Sequence, residues 1–465
     1  MESLRHFFEP DTVALIGATE KFGFGYGHTK TLVDQGLGDR LFLINPSQPM
    51  ILGKKTYPRI SEVPADVDLA VLLVPSVVVP SVLRECGAKG VKAAIIESAG
   101  FAEIGTEGEK IQEELRVISR ETGLRIMGPN CVGLANTSNG FLTTATTKKA
   151  MKPGPIGVIA QSGVFGNIMM DCGPEQGVYF SKVVTLGNRC DVGESEIIRY
   201  LGHDEQTRVI ALYLEGVQDG RRFRSAVEEV APHKPIVVLK SGRSPAGRAA
   251  TVSHTGTLSG EDPIYTGAFF QSGVLRVENI QELFDLSKSL ALQPIPRGSR
   301  VAILTTSGSL GAMTADMCTD LGLPLAQISD ETVQAVSDGA PPWMNVKNPL
   351  DVGPSGLLVN ALRALMKDPN VDGIIGIFLI PWTAVQAFEN RGIEVDHLFS
   401  ELSEFQQEGF GPKPFLFSVV GKRELRAAAL RALGERIPII SSPENAARAL
   451  ASMVRYQQRY PLKPS

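Results

Sequence analysis

Thr12-Val13-Ala14-Leu15-Ile16-Gly17-Ala18-Thr19 is the stretch on which the fold turns. An apolar run that ends in glycine reads as a buried strand feeding a tight turn. Gly23, Gly25 and Gly27 follow closely. Glycines there let the backbone approach a phosphate and open a helix whose amide groups face it. Similar short apolar runs recur at Leu41–Ile44, 69–74, Ala93–Ile96 and Arg125–Met127, each followed by a turn and a helical stretch. Strands alternating with helices predict βαβ units on a parallel sheet. The unbroken apolar character of the strands predicts burial on both faces. Residues 1–147 therefore read as a doubly wound, Rossmann-like nucleotide-binding domain.

Outward from this domain, the basic and Pro/Gly-rich piece at 148–155 reads as a linker. A second α/β block, 153–293, follows with strands at 156–160, Val209–Leu214 and 236–239. Pro294-Ile295-Pro296-Arg297-Gly298 marks another break. A third block, 299–465, has strands at 301–304, Gly373–Leu379, 414–419 and 437–440. The two later blocks open alike, Gln161-Ser162-Gly163-Val164-Phe165-Gly166 against Thr306-Ser307-Gly308-Ser309-Leu310-Gly311. That weak repeat predicts two related flavodoxin-like domains, although any strand-to-helix turn favours Ser and Gly.

Composition excludes several classes. The 465 residues suffice for about three domains at ~100–200 residues each. A net charge of −4 offers no basic footprint for nucleic acid or an anionic membrane. Cys86, Cys131, Cys172, Cys190 and Cys318 are scattered and odd in number, so neither a disulfide framework nor a zinc site is expected. The opening Met-Glu-Ser-Leu-Arg-His lacks a signal-peptide core, and no run is long enough to span a bilayer. A cytoplasmic protein with no metal site is the expectation.

Candidate ligand residues cluster at strand ends, where open α/β sheets bind. Gly17, Ala18 and Thr19 follow the first strand. Asn45 and Pro46 follow the second, Val74, Pro75 and Ser76 the third, Glu97 the fourth, and Asn130 and Cys131 the fifth. A dinucleotide site would place an acid at position 45 to hold a ribose; asparagine there disfavours NAD and an oxidoreductase. Cys131 has no neighbouring histidine and reads as a buried or lining thiol. Ser162 is not in a GxSxG elbow, because Ala160 takes the first position. Gln161-Ser162-Gly163 fits a phosphate cradle at a helix start, or a simple helix cap. His254 stands in Ser-His-Thr-Gly-Thr-Leu-Ser-Gly at 253–260, a loop with no apolar face for a core histidine. Imidazole is a competent phosphoryl nucleophile when its other nitrogen is held, and Glu215 at a strand end is a candidate to hold it.

Taken in order, these stretches resemble the alpha subunit of the ADP-forming acetyl-CoA synthetases, relatives of succinyl-CoA synthetase. The carriers are 13–19, 98–103, 128–133, Gln-Ser-Gly at 161–163, Leu-Gly-Asn at 186–188, Leu-Glu-Gly at 214–216, Lys-Ser-Gly-Arg at 240–243 and Ser-His-Thr-Gly at 253–256. The resemblance spans essentially the whole chain. It implies a CoA-binding Rossmann-like domain followed by two flavodoxin-like, succinyl-CoA-synthetase-like domains. The implied reaction is acyl-CoA + ADP + phosphate ⇌ carboxylic acid + CoA + ATP. Phosphate attacks the thioester, His254 takes the phosphoryl group from the acyl phosphate, and the loop delivers it to ADP. Glu215 would orient His254, and Ser162-Gly163 would hold phosphate. CoA would lie over Gly17–Thr19, Asn45-Pro46, Val74-Pro75-Ser76 and Glu97, with the acid near Asn130, Cys131 and Gln161. Family members often carry Lys where this chain has Ser47, a role that Lys21 or Lys54 would fill. Thr305–Gly311 replaces a more usual Asn-Ala-Gly-Gly-Pro-Gly.

All three blocks are assigned, and no GxxxxGK[ST] loop is present. The implied partner is therefore an ATP-grasp beta subunit that binds Mg-ADP/ATP, with αβ units pairing as α2β2. The rival reading is a non-catalytic CoA-binding regulatory protein of the same fold, which would need neither Glu215 nor His254.

Overall fold

The computed structural model describes residues 2–23, 25–144, 151–255, 260–392, 394–409 and 411–461. They form two compact units, 1–278 and 279–465.

The first unit holds two seven-stranded sheets. One contains β1 (Val13–Ile16), β2 (Leu41–Ile44), β3 (Met50–Ile51), β4 (Lys54–Tyr57), β5 (Leu69–Leu72), β6 (Ala93–Ile96) and β7 (Arg125–Met127). Its order is β3-β4-β2-β1-β5-β6-β7, parallel except for the β3–β4 hairpin at one edge. Every residue of β1, β5 and β6 is buried, as two-sided helix cover requires.

The second sheet contains β8 (Leu134–Asn136), β9 (Phe141–Leu142), β10 (Pro153–Ala160), β11 (Phe180–Thr185), β12 (Val209–Leu214), β13 (Ile236–Lys240) and β14 (Leu275–Val277), in the order β14-β13-β12-β10-β11-β8-β9. Segment 134–142, the tail of the first block by sequence, joins this sheet. β8 pairs antiparallel with β11, Leu134 opposite Val184 and Asn136 opposite Lys182. That pairing is long-range and leaves no local periodicity.

The second unit holds β15 (Val301–Thr305), β16 (Leu350–Asp351), β17 (Gly373–Leu379), β18 (Phe415–Val420) and β19 (Ile439–Ile440), in the order β16-β15-β17-β18-β19. The helix Ile280–Leu292, which closes the second block by sequence, belongs to this unit. Its fully buried Lys288 lies 3.0 Å from Asp285 and donates to the Ile439 carbonyl at 2.6 Å. Asp285 also accepts from Asn445 Nδ2 at 3.1 Å. A buried ion pair keeps its charge only with such partners, so this helix has one well-matched seat.

Candidate functional site

The chain leaves β1 and β5 toward opposite sides of the first sheet, and the crevice between their C-terminal ends is a switch point of the kind that binds ligands. Gly17 forms its floor. Its φ is +88°, and a Cβ there would stand 3.0 Å from Val74 Cγ1 and 3.1 Å from the Leu73 carbonyl. Only glycine fits both conditions. Thr19 donates its N–H to Thr29 Oγ1 at 3.1 Å, and that hydroxyl donates to the Gly25 carbonyl at 2.8 Å. The glycine loop is thereby folded onto the start of the helix Tyr26–Asp34.

Asn45 braces the other wall. Its Nδ2 donates to the Ala18 carbonyl at 2.9 Å, and its Oδ1 accepts the N–H groups of Ser47 and Gln48 at 2.8 and 3.0 Å. An acid could not make the first of these bonds, which gives asparagine a physical reason here. Pro46 and Pro75 are exposed, while Val74 and Ser76 are half-buried. Of the two lysines considered as substitutes at Ser47, Lys54 donates to the Gly38 carbonyl at 2.8 Å, whereas Lys21 is exposed beside the glycine loop.

Glu97 and Cys131 lie beneath this rim. The Glu97 side chain is fully buried, 2.6 Å from His28 Nδ1, which also approaches the Thr143 carbonyl at 3.1 Å. Burial pushes the Glu97 carboxyl above its ordinary value. Burial alone would lower His28, but the adjacent carboxylate outweighs it and holds the imidazole above its ordinary value. Cys131 Sγ contacts the Ile96 carbonyl at 3.3 Å; burial, and then the Glu97 charge, push its thiol far up. Such a thiol is a poor nucleophile. Asn130 stands at the rim with φ +59°, after the cis Gly128–Pro129 bond, and its amide donates to Asn188 Oδ1 at 3.3 Å.

The second corner is the switch point between β10 and β12. Ser162 caps the helix Gly163–Cys172, its Oγ accepting from Phe165 N–H at a long 3.5 Å. A Cβ on Gly163 would stand 2.2 Å from Val132 Cγ2, so glycine is required for the helix start to sit there. Glu215, directly after β12, is 4% exposed. Gln161 is 2% exposed, and its Oε1 accepts the N–H groups of Glu215 at 2.6 Å and Gly216 at 3.0 Å. Gln161 and Glu215 are thus brought together with the Ser162–Gly163 helix start. The Tyr213 ring stacks on Phe165 with ring centroids 4.0 Å apart. β13 ends at Lys240, and the helix Pro245–Thr255 that follows carries the backbone of His254. The His254 side chain lies outside the described residues.

Sequence reasoning assigned no role to His28, Asn188, Arg189 or Lys240. The last three stand in or next to stretches that carry the family resemblance. Nothing local distinguishes a buried cation from a solvated one, however. Asn188 donates to Glu103 at 2.6 Å and to Gln112 at 2.9 Å, tying the loop after β11 to the 98–103 segment.

The family model described as CoA binding domain matches residues 11–137, and that described as succinyl-CoA ligase like flavodoxin domain matches 153–290. The ADP-forming acetate–CoA ligase I alpha subunit of Pyrococcus furiosus is 35% identical over 98% of both chains. The ADP-forming acetate–CoA ligase II of Archaeoglobus fulgidus is 37% identical over 98% of this chain, which spans 67% of that protein. Among solved structures, the dinucleotide-forming acetyl-coenzyme A synthetase 1 of Ca. Korarchaeum cryptofilum, in complex with phosphate and ADP, superposes with a TM-score of 0.89. It is 30% identical, and the match covers 99% of this chain and 98% of that one. Among the described residues no helix is long and apolar enough to cross a membrane. The fold, the two domain matches and full-length likeness to an alpha subunit together place this chain in the family of ADP-forming acetate–CoA ligases, on its CoA-binding alpha side.

Proposed function

We propose that the chain interconverts acyl-CoA and phosphate with carboxylic acid and CoA by way of an acyl phosphate and phospho-His254, and passes the phosphoryl group to ADP on an ATP-grasp beta subunit. The observation that carries this reading is the β10/β12 corner. A buried carboxylate, Glu215, is fixed beside a helix start whose free amides suit an anion, and β13 leads from it to the His254 helix. A carboxylate holding one imidazole nitrogen leaves the other nucleophilic. The helix start would stabilise negative charge as the phosphoryl group transfers.

CoA is read onto the first crevice. Gly17 opens backbone to the ligand, and Thr19, Pro46, Val74, Pro75 and Ser76 form the rim. Ala18 and Asn45 brace it, and Lys21 is the cation best placed for a CoA phosphate. Glu97 and Cys131 act from below, shaping rather than touching. Asn130 is the member of the acid-site set that reaches the rim. Mg-ADP/ATP would sit mainly on the partner, in an α2β2 assembly in the cytoplasm.

The test pairs the chain with its ATP-grasp partner and γ-labelled ATP. Acid-labile, base-stable label should appear on this chain, vanish in His254→Ala, and discharge with acid plus CoA. An active pair with no label on this chain would overturn the reading and favour a non-catalytic CoA-binding regulator.

A further inference from the structure

The two residues after β12 are held by an unusual set of partners. Glu215 N–H donates to Gln161 Oε1 at 2.6 Å, and its carbonyl accepts from Lys240 Nζ at 2.8 Å. Gly216 N–H donates to the same Gln161 oxygen at 3.0 Å. The Gly216 carbonyl accepts from Gln161 Nε2 at 2.7 Å and from Arg189 Nη1 at 2.8 Å. Every backbone polar group of this dipeptide is therefore satisfied by a side chain, and the side chains come from three separate elements. Loops ordinarily satisfy such groups with water or neighbouring backbone.

All three partners are buried: Gln161 and Lys240 are 2% exposed and Arg189 is 4% exposed. Burying two cations and an amide is costly unless they are engaged, and each of the three bonds to the 215–216 backbone. Arg189 Nη1 is also 3.2 Å from Glu194 Oε2, and its backbone sits in the left-handed region at φ +58°, rare for a residue with a side chain. Lys240 also donates to the Ser241 carbonyl and lies 4.6 Å from the centre of the Tyr265 ring. The Tyr265 hydroxyl accepts the N–H of Val217, extending the grip by one residue. A loop needed only as a connection would not call for this arrangement.

We infer that Gln161, Arg189 and Lys240 are positioning residues that fix the Glu215 carboxylate for phosphoryl transfer. The inference rests on the role proposed above for Glu215. It also moves Gln161 from acid binding to backbone support, because both ends of its amide are engaged within the corner. None of the three touches the reacting atoms; they act through the geometry of the 215–216 backbone.

The experiment uses the full chain, radiolabelled orthophosphate and a panel of acetyl-, short-chain and aryl-CoA thioesters. It reads single-turnover labelling and, separately, the Kd for CoA. Lys240→Met should slow labelling roughly 100-fold, the scale of a misplacement near 1 Å, with the CoA Kd held to about two-fold. Lys240→Arg, which restores a donor, should recover the rate to within about ten-fold of wild type. Should Lys240→Met lose CoA binding through misfolding, Arg189→Lys takes its place. That variant keeps the charge beside Glu194 and should slow labelling about ten-fold, again without weakening CoA. Variants that bind CoA normally and label at the wild-type rate would overturn the inference. So would parallel losses of labelling and CoA binding in both Lys240→Arg and Arg189→Lys, which would mark a purely structural role. A wild-type chain that takes no label with any thioester refutes the Glu215–His254 reading itself, a distinct failure.

Discussion

The corner at the ends of β10 and β12 and the corner at the ends of β15 and β17 share one backbone plan but differ in chemistry. β10 has β11 on one side and β12 on the other, β15 likewise has β16 and β17, and in each sheet a Ser-Gly-x-x-Gly turn opens a helix. In each, the residue before that serine ties the two diverging strand ends together. Gln161 does so to Glu215 and Gly216. Thr306 does so to Leu379, its hydroxyl donating to the carbonyl and accepting the N–H, both at 2.8 Å. There the likeness stops. β12 runs into a buried glutamate, whereas β17 runs into Ile380 and Pro381. β13 ends in buried Lys240, while β18 ends in Val420. Ser162 caps its helix, but the Ser307 hydroxyl turns to Ser309 at 3.2 Å. On the β16 side of the third-sheet helix start lies a cleft of about 510 Å³ lined by Gly308, Trp343, Lys347 and Asp351 among others. The fold thus supplies two equivalent corners, and a few side chains at set register positions decide which one carries a carboxylate.

The largest expected contrast is catalytic. Glu215→Gln keeps shape and removes charge, and should slow His254 labelling by ~10²–10³. Thr306→Val, at the matching end of the third sheet, should leave labelling within about two-fold, because its bonds serve backbone alone. Equal losses in the two variants would erase the distinction between the corners.

Glycine substitution sharpens it further. Gly163→Ala drives a Cβ to 2.2 Å from Val132 Cγ2, and overpacking of this kind costs about 1–3 kcal/mol. At Gly308 the nearest atom is Asp351 Oδ2 at 2.9 Å, the end of a side chain that can turn away. Gly308→Ala should cost under about 1 kcal/mol. Denaturant unfolding, followed with a probe in each compact unit, separates the two.

Lys240 gives the cationic side of the comparison a pH signature. Burial first, with Arg276 adding to it and Asp262 and Glu215 opposing, lowers its pKa from 10.5 to about 8. Between those values the unfolded chain holds a proton that the folded chain has lost. Stability of wild type relative to Lys240→Met should therefore rise as pH climbs through that window. A flat difference would show that the ammonium is not perturbed. On the third sheet, Thr306→Val should lower the stability of its unit by about 1 kcal/mol.

Much of this contrast was legible in the sequence. The alternation of apolar strands and helices gave the α/β class. The paired Ser-Gly turns pointed to the repeat, and Glu215 was placed at a strand end and Ser162-Gly163 at a helix start. Side-chain direction was not legible. Gln161, Glu97 and Cys131 stand at strand ends as expected of lining residues, yet each is buried. Their partners are far away in sequence: Glu215 for Gln161, His28 for Glu97 and Ile96 for Cys131. The same holds for β8 and for the helix Ile280–Leu292. Each looks locally like part of the block before it, and each takes its place through contacts with residues more than forty positions on.

Peptide-level mass spectrometry can show whether the β10/β12 corner serves a phosphohistidine. The chain would be quenched under alkaline conditions after a single turnover with an acyl-CoA and phosphate, then digested and mapped. One phosphate is expected on the peptide bearing His254, absent without acyl-CoA and strongly reduced in Glu215→Gln. Phosphate on another residue, or an unchanged yield in Glu215→Gln, would contradict it.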